Sequence, residues 1–278
     1  NLVWGLGGMI NLGLAGFYAV GAYATALLAT RAGWPDGAAL LAATLAACAI
    51  GAGVALLTAR LRGDYLAIVT LGFAEVLRLA ATNEMWLTHG ADGISNIPAP
   101  GRAGLTPFGF EMLFFGLVWG AVLLLGFGFA RLSGSPFGRV LRAIREDETV
   151  AQVAGKRTLR FKVQAFALGA GVSGLAGGLY AQFNGYVAPD AFGPLVTIYV
   201  VLAVVAGGTG RMTGAVLGAV LVTALTEGTR FLGALLPFLH PVQIASVREG
   251  VIGLALIGLL HLRPEGVLPE RVRLHSPP

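Results

Sequence analysis

Five predominantly apolar runs, 37–59, 108–130, 163–186, 214–232 and 242–262, dominate this chain of 278 residues. A hydrocarbon core about 30 Å thick is crossed by roughly 20 apolar residues in a helix. Backbone groups inside it must be satisfied within the protein, so only helices or a closed barrel can span. Barrel strands alternate over about ten residues, whereas these runs are longer and continuously apolar. The fold class is therefore all-α, a polytopic transmembrane helical bundle. A content of 56% hydrophobic and 12% charged residues agrees, since soluble chains carry charge at about a quarter of positions.

Other segments complicate the count. The stretch 64–81, "DYLAIVTLGFAEVLRLAA", is a further span. Residues 1–30 are apolar but broken by Gly5, Gly7, Gly8, Gly13, Gly16 and Gly21, with Asn11 in the middle, which predicts a discontinuous or re-entrant pair. Residues 195–206 are too short to cross alone. The expectation is roughly 8 spans in one domain, 1–278, including such interrupted segments. A Pro- and Gly-bearing stretch, 82–107, lacks helical periodicity and reads as a loop. The chain begins at Asn1, without Met or a signal-peptide n-region, so an N-terminal piece is expected to be missing.

Charge is concentrated in one place. "GRVLRAIREDETVAQVAGKRTLRFK", 138–162, is charged at ten positions. Eight of the 19 Lys and Arg residues fall between Arg131 and Lys162. Cytoplasmic loops carry such an excess, which places this segment, and the Arg60 and Arg62 loop two spans earlier, inside. The loop 82–107 and the turn 188–194 then face outward, and the polar tail 263–278 returns to the cytoplasm. The segment reads as two short helices. Val140, Leu141, Ile144 and Ala151 fall near one face, Asp147 is placed to cap a second helix, and Gly155 to end it. A membrane anchor, a docking surface and a plain topology signal are all compatible with that pattern. The acidic triplet Glu146, Asp147 and Glu148 favours docking, because a topology signal has no use for it.

Chemical motifs are scarce. "GAGVSG", 169–174, satisfies G-x-G-x-x-G but lies inside a span, without the strand and acidic residue that a dinucleotide site requires. It reads as helix packing, as do the ladders Gly174–Gly178 and Gly210–Gly214–Gly218. No P-loop motif occurs, so the chain has no nucleotide site of that kind. His89, His240, His261 and His275 are scattered, and Cys48 is alone, which gives neither metal spacing nor a disulfide framework. The net charge of +5 sits between spans, where it reads as topology rather than nucleic-acid binding. Glu75 and Arg78 lie three apart near the middle of a span, and Glu227 and Arg230 repeat the spacing. Intramembrane charge is costly and faces a bundle interior or cavity. Such a pair either fixes packing by mutual neutralisation or lines a polar path.

Together these segments resemble the inner-membrane permeases of bacterial branched-chain amino acid ABC importers. "GFYAVGAYATALLA", "GDYLAIVTLGFAEVLRL", "LTHGADGI", the segment from Gly138 into the following helix, and "VVAGGTGRMTGAVLGA" are similar to that family's signatures, in its order. The similarity runs over about 1–266. It implies a multi-pass permease of the bacterial inner membrane, not an enzyme, without cofactor or metal. It further implies two cytoplasmic ABC ATPase subunits, a second homologous permease and a periplasmic substrate-binding protein as partners. The expected cargo is leucine, isoleucine or valine, although relatives carry urea, short amides or other amino acids. The resemblance makes 132–162 the cytoplasmic coupling segment, with Arg139, Arg142, Arg145, Glu146, Asp147, Glu148 and Gly155 coupling to the ATPases. Asn11, Gly13, Thr70, Glu75, Arg78, Gly207 and Gly208 are expected along the translocation path, where broken segments expose polar backbone. Leu14 departs from the family, which usually has a polar residue there. Two other classes remain open: an ion-coupled secondary transporter using Glu75 and Arg78, and a non-transporting scaffold.

Overall fold

The computed structural model describes residues 1–58, 61, 63–229, 247, 250, 251, 253, 254, 257, 258, 261 and 266–268. Arg60, Arg62, Arg230, His240, His275 and most of 242–262 and 263–278 lie outside the described residues, so the expectations placed on them are not addressed. The chain forms two compact units, 2–197 and 198–278, with Asn1 joined to the second.

The first unit opens with a short π-helical turn, Leu2–Leu6. It stops at Gly8, whose backbone is left-handed (φ 65°), a conformation open to glycine without penalty. After an irregular stretch, α1 runs from Leu14 to Thr30. The interruption expected between 1 and 30 is therefore present. Helices α2 (Asp36–Leu57) and α3 (Asp64–Asn83) follow. The stretch 82–107 is not wholly irregular. It holds the one-turn helix α4 (Met85–Thr88), a 3-10 turn (Gly90–Asp92) and the strand β1 (Ile94–Ser95). Their brevity, one turn or two residues each, leaves no periodicity to read.

Helix α5 (Pro107–Gly134) is followed by α6 (Pro136–Glu146), α7 (Glu148–Val153) and α8 (Thr158–Asn184). Both long helices extend past the apolar runs that announced them, so the intervening hairpin shrinks to 135–157. The strand β2 (Tyr186–Val187) pairs antiparallel with β1, Ile94 opposite Val187. A 3-10 turn, Pro189–Phe192, leads into α9 (Pro194–Gly207). With that turn the apolar element Pro189–Gly207 reaches 19 residues and is long enough to cross. The expectation that 195–206 is too short is corrected, because the proline-led turn continues into the helix. Four further helices, α2, α3, α5 and α8, are also long and apolar enough.

Helices α1, α2 and α8 form the core. In lipid, helices associate by close van der Waals packing rather than by the hydrophobic effect, and small residues set the approach. A Cβ at Gly21 would fall on the Gly174 carbonyl, and one at Gly177 on the Tyr18 carbonyl. Gly171 abuts Cys48. The packing role expected for "GAGVSG" is thus observed. Phe17 meets Phe166 edge-on at 5.8 Å and Phe73 at 5.3 Å, with Phe17 and Phe166 fully buried.

At the end of this unit away from the α6–α7 hairpin, a clasp closes the loops. Arg102 donates to the carbonyls of Gln182 (2.7 Å) and Phe183 (2.6 Å) at the end of α8 and lies over the Phe110 ring. Gln182 donates to the Asp36 carbonyl at 2.9 Å. In the second unit, α10 (Met212–Gly228) packs on the later part of α9. A Cβ at Gly207 would meet Gly214, and one at Gly218 would meet the Ala203 carbonyl. Gly210 lies in the connecting turn (φ 84°), so only Gly214 and Gly218 of the expected ladder stand on a helix.

Candidate functional site

The break before α1 determines the chemistry of the first unit. A helix start leaves backbone N–H groups unpaired, and this one lies inside the bundle, so side chains from three places meet it. Asn11 accepts from the Gly13 amide through Oδ1 at 2.8 Å. The Thr70 hydroxyl on α3 accepts from the Leu12 amide at 3.0 Å. The Thr197 hydroxyl at the head of α9 accepts from the Ala15 amide at 3.0 Å. Thr70 donates in turn to the carbonyls of Leu66 or Ala67, at 2.9 and 3.0 Å. Gly13 lies against the Thr70 carbonyl, where a Cβ would come within 2.7 Å.

One donor remains. Asn11 is buried, yet its Nδ2 has no hydrogen-bond partner. An unmatched buried polar group costs about 1–3 kcal/mol. A carboxylate or carbonyl oxygen brought to this amide would remove that cost. The helix start adds partial positive charge.

Of the residues expected along a path, Asn11, Gly13 and Thr70 are brought together here. Glu75 and Arg78 are not part of the cluster. They close on each other, Arg78 Nη2 to Glu75 Oε1 at 2.6 Å and Nε to Oε2 at 3.0 Å, and both are half-exposed. The buried side of α3 carries Thr70, Ala74 and Ala81 instead. Gly207 and Gly208 belong to the second unit. Gly207 packs on Gly214 and Gly208 against Leu268 and Gly266. Thr197 was not anticipated. Its only signal is one hydroxyl in an apolar run, which does not reveal a partner 182 positions away.

The second candidate region is the α6–α7 hairpin. Leu141, Ile144 and Ala151 are buried on its inner side, while Val140 is half-buried. Asp147 caps α7, its Oδ1 accepting from Thr149 (2.7 Å) and Val150 (3.1 Å). Gly155 takes a left-handed backbone (φ 76°) just past the helix end. Several of the charged residues bond within the protein. Arg139 donates to the Gly134 carbonyl (3.2 Å) and Arg142 to Ser133 (3.0 Å), both in the last turn of α5. Cations there also favour the negative end of the helix. Glu148 pairs with Lys162 at 2.7 Å. Arg145 donates to the carbonyl of Gly5 in the π-turn.

Two clefts flank the hairpin. One, of about 470 Å³, lies between its helices and is lined by Val140, Ala143, Val150 and Ala154 together with the charged Arg139, Glu146, Asp147 and Lys156. Val153, on the same short helix as Val150, is 86% exposed. The other, of about 300 Å³, lies between the hairpin and Gly7, Gly8, Leu61 and Gly63. It places the connection between α2 and α3 at the same end as the hairpin. Among the described residues no cluster of three potential metal ligands occurs.

The family model described as "Branched-chain amino acid transport system / permease component" matches residues 1–260. The chain is 35% identical to the high-affinity branched-chain amino acid transport system permease protein LivM of Escherichia coli (strain K12), over 97% of this chain and 66% of that protein. It therefore spans about two thirds of that relative's length. It is 30% identical to a probable branched-chain amino acid transport permease protein LivM of Methanocaldococcus jannaschii, over 86% of this chain and 70% of that one. The autoinducer 2 import system permease protein LsrC of Photorhabdus laumondii is 28% identical over 57% of this chain and 46% of its own. No solved structure matches.

Proposed function

The chain belongs to the family of branched-chain amino acid transport permeases, and on that premise we propose that it is the membrane-spanning subunit of an ATP-driven importer. Leucine, isoleucine or valine, delivered by a periplasmic binding protein, would cross a path that this chain forms with a second homologous permease in the bacterial inner membrane. Two cytoplasmic ABC ATPases would supply the work.

The observation that carries the reading is the hairpin 135–157. Several of its polar ties are internal, yet on α7 it leaves Val150, which lines the cleft between its helices, and Val153 exposed. An exposed apolar patch rimmed by charge marks an interaction surface. Arg139, Arg142, Arg145, Asp147, Glu148 and Gly155 would shape this coupling element, and the cleft lined in part by Glu146 would receive the ATPase. Asn11, Gly13 and Thr70 would contribute to the path, where the Asn11 amide offers one donor to a substrate carboxylate.

Co-expression with the cognate subunits tests this. Val153→Asp places a charge on the docking patch and is expected to remove the ATPases from the purified complex while the permease itself stays folded. Uptake of radiolabelled leucine by wild-type vesicles is expected to require ATP. Uptake driven by an ion gradient without ATP would replace the importer by a secondary transporter.

A further inference from the structure

Arg139, Arg142 and Arg145 recur at every third position of α6, but they hold different things. The first two return to the adjoining helix, at Gly134 and Ser133. Arg145 reaches 140 positions back to the carbonyl of Gly5. Its stem is held as well. Gly8 packs on it so closely that a Cβ there would lie 2.8 Å from Cγ and 3.3 Å from Cα of Arg145. The side chain is therefore gripped at its head by the π-turn and along its length by the glycine that ends that turn. A hydrogen bond from a guanidinium is roughly twice as strong as a neutral one. π-turns recur at functional sites.

What Arg145 grips leads directly to the buried helix start. Gly8 ends the π-turn with its amide on the Trp4 carbonyl at 2.8 Å, and Met9 reaches back to Val3 at 3.1 Å. Three residues beyond Gly8 stands Asn11, followed by the amides of Leu12 and Gly13 that bind Thr70 and Asn11. The short strut between the hairpin and α1 is thus anchored at both ends. Beside it lies the cleft of about 300 Å³ lined by Gly7, Gly8, Met9, Arg145 and Lys162, among others.

We propose that Arg145 is a positioning residue that links the hairpin to the interrupted segment 2–13, so that displacement of the hairpin moves Asn11 and the start of α1. Packed interiors transmit displacement because they are as dense as crystals. Arg145 thereby belongs to the internal linkage and not to the surface that a partner touches. The link rests on the importer reading, and the experiment separates the two.

The full permease complex with its ATPases is reconstituted with the binding protein, and ATP hydrolysis and leucine uptake are measured in the same vesicles. Wild-type uptake that does not need ATP defeats the importer reading irrespective of Arg145. Given ATP-driven wild-type uptake, Arg145→Ala is expected to retain the ATPases and to hydrolyse ATP within about twofold of wild type, while uptake falls about tenfold. Arg145→Lys keeps a donor for Gly5 and is expected to restore most of the uptake. Gly8→Ala pushes a methyl into the Arg145 stem and is expected to uncouple in the same way. It gives the decision by the same ratio if Arg145→Ala does not fold. Loss of the ATPases from Arg145→Ala makes the residue a docking contact and overturns the link. An unchanged ratio of uptake to hydrolysis overturns it too.

Discussion

Helices α5 and α8 are nearly equal in length, 28 and 27 residues, and both are rich in glycine. They are used in opposite ways. In α8, 44% of the apolar stretch is buried, against 6% in α5. Gly171, Gly174, Gly177 and Gly178 of α8 all touch α1 or α2, whereas Gly116, Gly120 and Gly128 of α5 face open space. Glycine marks a close helix crossing only where a second backbone is present to use the gap. The exposed sides of α5 carry Phe115, Trp119, Leu123, Leu124 and Phe127, which suit acyl chains or another membrane subunit.

Substitutions sharpen this contrast, and the largest effect belongs to α8. Gly177→Leu drives a side chain into the Tyr18 carbonyl; overpacking of this kind costs on the order of 3 kcal/mol. The expected outcome is loss of the monodisperse detergent-solubilised peak. Gly120→Leu on α5 is expected to keep that peak, and its collapse would break the comparison by showing that α5 is packed within the chain.

Between these extremes stands the helix start. Thr70→Val and Thr197→Val each remove one hydroxyl acceptor from an amide at the helix start, and interhelical hydrogen bonds in membranes average about 0.6 kcal/mol. A modest drop in thermal midpoint is expected for either, read by a thiol-independent unfolding assay. The smallest effect is expected for Gly128→Ala, which meets no neighbour and removes a flexible residue from a helix. Its midpoint is expected to stay level or rise slightly, by an increment of up to about 1 kcal/mol.

Much of this architecture was readable beforehand because it depends on local pattern. The apolar runs 37–59, 108–130 and 163–186 located helices long enough to span, the glycines before Asn11 announced the break, and Asp147 and Gly155 announced the second short helix. The spacing of Glu75 and Arg78 foretold their ion pair, since residues three apart share a helix face. What escaped depends on long-range encounter. Nothing near Thr197 points to Ala15, and nothing near Arg145 points to Gly5. The fate of each glycine was likewise hidden, because α5 and α8 look alike until their neighbours are known. The start of α8 was misplaced by a few residues for a related reason. Arg160 and Lys162 read as loop, whereas they occupy the first turns of a helix that emerges from the apolar layer.

The length of α5 has a consequence for the lipid itself. At 1.5 Å per residue its 28 residues span about 42 Å, against about 33 Å for the 22 residues of α2. A hydrocarbon layer near 30 Å therefore fits α2 upright, while α5 must lean or carry its ends into the headgroups. Thickening the bilayer would let α5 straighten and leave α2 strained. Because α5 leads directly into the hairpin, a change in its lean would reach the end of the molecule that holds Arg145.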